Sequence, residues 1–195
     1  MSVPQTGNVV RLETAPGDDV LIARVALKDE AAFGLMSERY SGLIFSIAYR
    51  MLNNRSAAED MVQDVLFKLW NFAGDWQVEK GASVKTWLCR ITGNACIDGL
   101  RKKKPLSIDD VPEMEDTTQN AEGDLRTRET GAIVGRALQD LPERQRLALV
   151  MFHYEEMSVI DIAGVLKITP KAAEGLLTRG RLSLRQSLAA YKGVL

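Results

Sequence analysis

Apolar residues recur along this chain at spacings of three and four, the period of helices that bury one side. No segment shows the strict alternation expected of a half-buried strand. Residues 19–28 (DVLIARVALK) predict a short amphipathic helix. Residues 30–52 predict a longer one, with Phe33, Met36, Tyr40, Leu43, Ile44, Ile47, Ala48 and Met51 on one stripe. After the turn NNR, a third helix begins at Ser56, where SAAE has the form of a capping box between Ser56 and Glu59. Val62, Val65, Leu69 and Phe72 give that helix its inward side. FAGDWQVEKGAS, with two glycines, predicts a loop over residues 72–83. A fourth helix runs from Ser83 to Lys103 with Val84, Trp87, Leu88, Ile91, Ala95 and Leu100 as its apolar side, and Pro105 ends it.

Helical periodicity resumes from Leu125 to Leu141, and Pro142 opens a further helix, ERQRLALVMFHY. Ser158 is placed to cap a short helix, VIDIAGVL. The turn Lys167-Ile168-Thr169 leads into TPKAAEGLLTRGR, where Thr169 suits an N-cap and Pro170 the first helical position. This last helix is expected to continue to about Tyr191. A short helix, a tight turn and a longer helix form a helix-turn-helix pattern. Ile160, Ala163, Leu166, Ile168, Ala173 and Leu177 are positioned to pack its two helices together. In that geometry the second helix offers its first turns to the DNA major groove. Its outward residues would be Lys171, Glu174, Gly175 and Thr178, with Arg179, Arg181 and Arg185 along the flank. The bland alternative is a plain helical hairpin inside a bundle.

The predicted fold class is therefore all-α, in two small helical domains. Residues 1–17 are expected to be a disordered tail, 18–104 the first domain, 105–127 a flexible linker and 128–195 the second domain. Net charge is −1, so nothing global advertises a polyanion-binding protein. The distribution is more informative. Residues 1–104 carry 14 basic and 12 acidic side chains, residues 105–125 carry seven acidic and none basic, and residues 126–195 carry 11 basic and seven acidic. Two mildly basic halves thus flank an acidic strip that contains two prolines and no aromatic residue, the composition of a linker.

Cys89 and Cys96 lie seven apart on a helix, hence about 10 Å apart, too far for a disulfide. Two reduced thiols in a cytoplasmic protein are expected. With His153 the only histidine, neither a metal site nor general acid–base chemistry near neutral pH is expected. The chain shows no Walker loop, dinucleotide fingerprint, HExxH or Ser–His–Asp candidate set, so neither an enzyme nor a cofactor is expected. No secretory signal and no membrane-spanning segment are read.

Two further constellations carry candidate chemistry. In WLCRITGNACIDGLRKKK, the residues Lys85, Arg90, Asn94, Arg101 and Lys102 recur on or near one polar side, with Trp76 and Trp87 close to its start. Cations interleaved with flat rings suit single-stranded nucleic acid, although Trp87 also fits an inward position. In AEDMVQDVLFKLW, the residues Asp60, Gln63, Asp64 and Lys68 share the outer face of a helix, which is either solvated or a docking surface.

These constellations, in this order, resemble bacterial sigma factors of the extracytoplasmic-function type, group IV of the sigma-70 family. The resemblance covers roughly residues 19–190. AAFGLMSERY, RSAAEDMVQDVLFKLW and KTWLCRITGNACIDGLRKKK are similar to sigma region 2, and ALQDLPERQRLALVMFHYEEMSVIDIAGVLKIT with LLTRGRLSLR to sigma region 4. The resemblance implies an alternative sigma factor in the bacterial cytoplasm. It would bind core RNA polymerase at the β′ clamp helices and the β flap and direct promoter recognition, DNA opening and initiation. Asp60, Gln63, Asp64, Phe67 and Lys68 would contact polymerase. Trp76, Lys85, Trp87, Arg90, Asn94, Arg101 and Lys102 would serve the −10 element. Ser158, Thr169, Lys171, Glu174, Gly175, Thr178, Arg179 and Arg181 would serve the −35 element. The acidic linker would thread towards the RNA exit path, imitating nucleic acid, and an anti-sigma factor would hold the protein inactive.

The chain departs from the family's common form in the reading helix, where Glu174 and Leu176 replace basic residues, and in the turn, where Lys167 replaces glycine. A left-handed lysine would cost on the order of 1 kcal/mol. Two other functions fit parts of the pattern. A dimeric helix-turn-helix regulator would bind duplex DNA unaided. An interaction module would bind polymerase or an anti-sigma factor without touching promoters.

Overall fold

The computed structural model describes residues 16–76, 83–103 and 125–189. The tail expected over 1–17 and the acidic linker over 105–127 fall almost wholly outside these residues, as does half of the loop expected over 72–83. Among the described residues there are eight α-helices: α1 (Asp18–Ala26), α2 (Glu30–Leu52), α3 (Arg55–Trp76), α4 (Val84–Lys103), α5 (Leu125–Gln139), α6 (Glu143–His153), α7 (Val159–Leu166) and α8 (Pro170–Ala189).

Side-chain caps set most of the starts. Asp29 accepts from the Ala32 amide (3.0 Å), Ser83 from Thr86 (3.1 Å), Ser158 from Asp161 (3.1 Å) and Thr169 from Ala172 (3.2 Å). Each satisfies an amide that the first helical turn leaves without a partner. The third helix differs from expectation. Asn54 caps it, accepting from the Ala57 amide at 2.8 Å, so Ser56 lies inside the helix and is exposed. Glu59 pairs with Arg55 (2.8 Å) one turn back and closes no capping box. This helix also runs on through residues 72–76, which the glycine-containing sequence suggested were loop; Phe72 (φ −118°, ψ 18°) kinks it there.

Helices α1–α4 enclose one apolar core, in which Leu21, Ile22, Met36, Ile44, Leu69 and Leu88 are fully buried. Phe33 meets Trp70 edge to face, with ring centroids 5.1 Å apart. A second core lies where the two helical domains meet. Ile47, Met51, Cys89 and Cys96 from the first half are buried in the same cluster as Leu138, Leu147, Met151 and Ile162 from the second. Helices α2 and α4 pack directly on α5, α6 and α7. Gly93 makes room for this contact, since a Cβ there would stand 2.6 Å from a methyl group of Leu147.

One buried cation ties this seam together. Arg146 on α6 is 4% exposed. It donates to the Met51 carbonyl at the end of α2 (2.5 Å), to the Gln139 side chain (2.5 Å), and to the Gln139 and Leu141 carbonyls (2.6 and 3.2 Å). Gln139 in turn donates to the Arg50 carbonyl (3.2 Å). The last carbonyls of α2 have no partner within their own helix and carry the negative end of its dipole, so a guanidinium is a fitting cap.

The turn between α7 and α8 is also closed by the backbone. The Ile168 amide donates to Ala163 (3.0 Å) and the Lys167 amide to Gly164 (3.3 Å), the paired bonds of a Schellman motif. Lys167 occupies the left-handed position of that motif (φ 51°, ψ 52°), where a side chain is strained and glycine is favoured. Ile160 does not pack between the two helices as its spacing suggested. It is 73% exposed, and Ile162, Ala163, Val165 and Leu166 are the buried residues of α7.

Replacing Lys167 by glycine is expected to raise unfolding free energy by about 1 kcal/mol, read as a higher urea midpoint at unchanged slope. Replacing Arg146 by methionine keeps an unbranched apolar stem but strands the carbonyls it serves. Unfolding free energy should then fall by about 2–3 kcal/mol in the same measurement, and an unchanged midpoint would refute the capping role.

Candidate functional site

Three surfaces take up the residues singled out from the sequence. The first is the outer face of α3. Val65, Leu69 and Ala73 bury one side of the helix, which leaves residues 60, 63, 64 and 67 together on the other at spacings of three and four. Asp60, Gln63 and Asp64 are exposed, and Lys68 is half-buried beside them. Phe67 is 67% exposed on this face and borders a shallow apolar depression formed with Glu30, Phe33 and Trp70. A large ring left in water next to two carboxylates has no packing role in the chain itself.

The second surface is α4, and the structure divides the residues that the sequence grouped on it. Lys85 and Asn94 are nine positions apart, which at 3.6 residues per turn puts them about half a turn from one another. Arg90, Asn94 and Arg101 follow one line; Asn94, Arg101 and Lys102 are exposed, while Arg90 is half-buried. Lys85 lies instead on the side of Cys89, Gly93 and Cys96, facing the second half. Its ammonium donates to the Glu155 carbonyl at 2.9 Å. Trp87 is a correction. It is 4% exposed and packs with Leu21, Met36 and Leu88, so its ring serves the core and offers no face to a base. Trp76 is half-buried at the end of α3, and among the described residues its indole N–H has no acceptor.

The buried stripe of α4 escaped the sequence reading because cysteine, threonine and glycine give a weak hydrophobic signal. Burial pushes both thiols up to about 12, with the Glu155 carboxylate adding to the effect at Cys89. They are protonated and unreactive at neutral pH. Thr92, buried between them, donates its hydroxyl proton to the Leu88 carbonyl (2.8 Å) and leaves no unmet polar group.

The third surface is α8. Ala173, Leu177 and Gly180 face inward, so Lys171, Glu174 and Thr178 point out on successive turns. Thr169 and Ser158 are exposed at the two helix starts. Gly175 is half-buried, and a Cβ built there would stand 3.3 Å from the Arg179 guanidinium, which folds back along the helix. Arg181 is turned towards α6 and lies over the Phe152 ring at 4.9 Å. The surface is thus an exposed row of lysine, glutamate and threonine with arginines on its flank, at the start of the second helix of a helix-turn-helix.

Comparison with known proteins agrees with this layout. The family model for Sigma-70 region 2 matches residues 36–105, and that for Sigma-70, region 4 matches residues 132–184. The ECF RNA polymerase sigma factor SigM of Mycobacterium tuberculosis (strain Erdman) is 30% identical over 173 residues, which cover 87% of this chain and 83% of that protein. The ECF RNA polymerase sigma factor SigW of Bacillus subtilis is 29% identical over 178 residues, covering 86% of this chain and 94% of SigW. Among solved structures, CnrH in complex with the cytosolic domain of CnrY superposes with a TM-score of 0.67 at 26% identity, over 89% of this chain and 97% of CnrH. The Bartonella quintana sigma factor RpoE, solved with the anti-sigma factor NepR, shares the fold with a TM-score of 0.64 at 23% identity, over 80% of this chain and 96% of that one. With regions 2 and 4 both matched in order, and a relative this similar along nearly its whole length, the chain belongs to the extracytoplasmic-function RNA polymerase sigma factors.

Proposed function

We propose that this sigma factor docks on core RNA polymerase through the outer face of α3, opens the −10 element along α4 and reads the −35 element with α8. The observation that carries the docking surface is Phe67, a mostly exposed ring flanked by Asp60, Gln63 and Asp64 on a helix whose other side is core. An apolar anchor with charged neighbours is the composition of an interface centre and its rim. Arg90, Asn94, Arg101 and Lys102 supply phosphate contacts along α4, and Trp76 a ring at its approach. Ser158 and Thr169 at the helix starts, with Lys171, Glu174, Gly175, Thr178, Arg179 and Arg181, form the −35 surface.

The protein acts as an initiation factor and supplies no catalysis of its own. We place it in group IV because the two matched segments are separated only by residues 106–131. No helix among the described residues is long and apolar enough to cross a membrane, and work in the cytoplasm beside polymerase suits such a chain. An anti-sigma factor is its proposed restraint. The complex of CnrH with the cytosolic domain of CnrY supports a protein partner for this fold. Splitting recognition over two modest surfaces suits a protein that acts on polymerase, where tethering raises the effective concentration of each.

The test is transcription in vitro from core polymerase, with pooled promoter fragments of the source genome and no other sigma factor. The wild-type chain should support initiation. Asp60→Lys with Asp64→Lys should weaken core binding at least tenfold and abolish initiation while the helical circular dichroism stays unchanged, since both side chains are exposed. Unchanged core affinity would refute the α3 assignment. At the other end, Glu174→Ala should lose about 1–3 kcal/mol of preference at a single −35 base pair, scored on an array of duplexes, if Glu174 accepts from a cytosine amine. A uniform gain over all sequences would show instead that it only repels phosphate.

A further inference from the structure

A helix-turn-helix reads DNA only at a fixed angle between its helices, because the first crosses the backbone while the second meets the base edges. Here Lys167, Ile168 and Thr169 join α7 to α8. Lys167 is strained in the left-handed region (φ 51°). A strained joint keeps its shape only where its surroundings over-determine it. The paired backbone bonds of the turn act from within it. A second restraint comes from outside, on α6.

In the last turn of α7, the Ala163 and Gly164 carbonyls accept from the turn itself. The Leu166 carbonyl accepts instead from the Arg144 guanidinium of α6, at 2.8 Å. That carbonyl belongs to the peptide plane leading into Lys167, so Arg144 clamps the strained joint directly. The bond is charge-assisted, and a cation suits the negative end of a helix. Further along, α6 also meets α8. Gly180 allows this approach, since a Cβ there would stand 3.1 Å from the Leu149 side chain. Arg144 itself is exposed in the first turn of α6 and fills no part of the core.

Small errors at the joint grow along α8. Thr178 lies nine residues beyond Thr169, about 13.5 Å at 1.5 Å per residue. A tilt of about 5° would move it by roughly 1 Å, more than the ~0.5 Å that a recognition site tolerates.

We propose that Arg144 is a positioning residue for −35 reading, holding the angle at which Lys171, Glu174 and Thr178 meet the groove without contacting DNA itself. The proposal rests on the −35 role given above for α8.

The test is transcription by core polymerase saturated with each variant and free of other sigma factors. The template is a fragment pool with a fixed −10 element and a randomised −35 element, and the readout is the enrichment of each −35 sequence. The wild type should give a sharp profile. Arg144→Met should flatten it by at least about fivefold at the best-read position, the lower end of what one base contact contributes. Its helical circular dichroism should be unchanged, since the side chain is exposed. Adding Lys167→Gly to Arg144→Met should restore most of the preference, because glycine holds the left-handed position without strain. The double variant has lost two cations, so a phosphate-contact role for Arg144 predicts the opposite, a further loss of output. Failure of the double variant to recover overturns the proposal. So does an Arg144→Met profile as sharp as that of the wild type, whether thermal stability falls or output drops uniformly. Loss of helical circular dichroism in Arg144→Met would assign the residue to the fold at large and overturn it as well. A flat wild-type profile is a separate failure, which removes the −35 role of α8 and this proposal with it.

Discussion

The guanidinium of Arg146 at the end of α2 is the interaction on which the architecture depends. A helix of 23 residues ends with carbonyls that no residue of its own can satisfy, in a position the second half covers. Were that end buried without donors, the desolvation cost would oppose docking of the halves. Arg146 and Gln139 remove the penalty and convert it into directionality, because a planar donor set reaches these acceptors in one orientation. Burial draws the Arg146 pKa down from its usual range, so the site tolerates a charge only because acceptors surround it. The apolar contacts around the seam supply most of its favourable free energy, and the cation fixes its register.

Once the seam is fixed, α4 serves two masters. One side belongs to the core of the first half through Val84, Trp87 and Leu88, and another meets the second half through Cys89, Gly93 and Cys96. What is left to solvent is the line from Asn94 to Arg101 and Lys102. A helix committed on two sides is a rigid platform, which suits the strand-holding role proposed for its outer line. The same commitment explains the glycine at position 93, where a Cβ would stand 2.6 Å from a methyl group of Leu147.

The helix-turn-helix follows different constraints. Its caps and its backbone-closed turn are local, and they hold α8 at a set angle despite the strained Lys167. An exposed Glu174 among basic neighbours is unfavourable for a general polyanion binder. On a protein that borrows affinity from polymerase, a selective residue at that place is tolerable.

Much of this was legible along the chain. The bounds of α2 agree with its hydrophobic period to the residue, and Ser158 and Thr169 cap the helices they precede, because capping and periodicity depend on residues a few positions apart. The left-handed turn at Lys167 was legible only through the resemblance, whose common form has glycine there. The order and spacing of the three candidate surfaces also pointed to the family. What periodicity could not supply is the identity of the neighbour. It marks a residue as apolar without saying which element covers it, so Ile160 looked like packing and is exposed, while Trp87 looked like a candidate base contact and is core. The pairing of Arg146 with an α2 carbonyl spans 95 positions, and no local pattern encodes it. Sequence alone determined the helices, their caps and the kinds of chemistry on their outer faces. Only the tertiary structure decided which faces stay outer, because burial is a property of two surfaces that meet, and each half carries the pattern of just one.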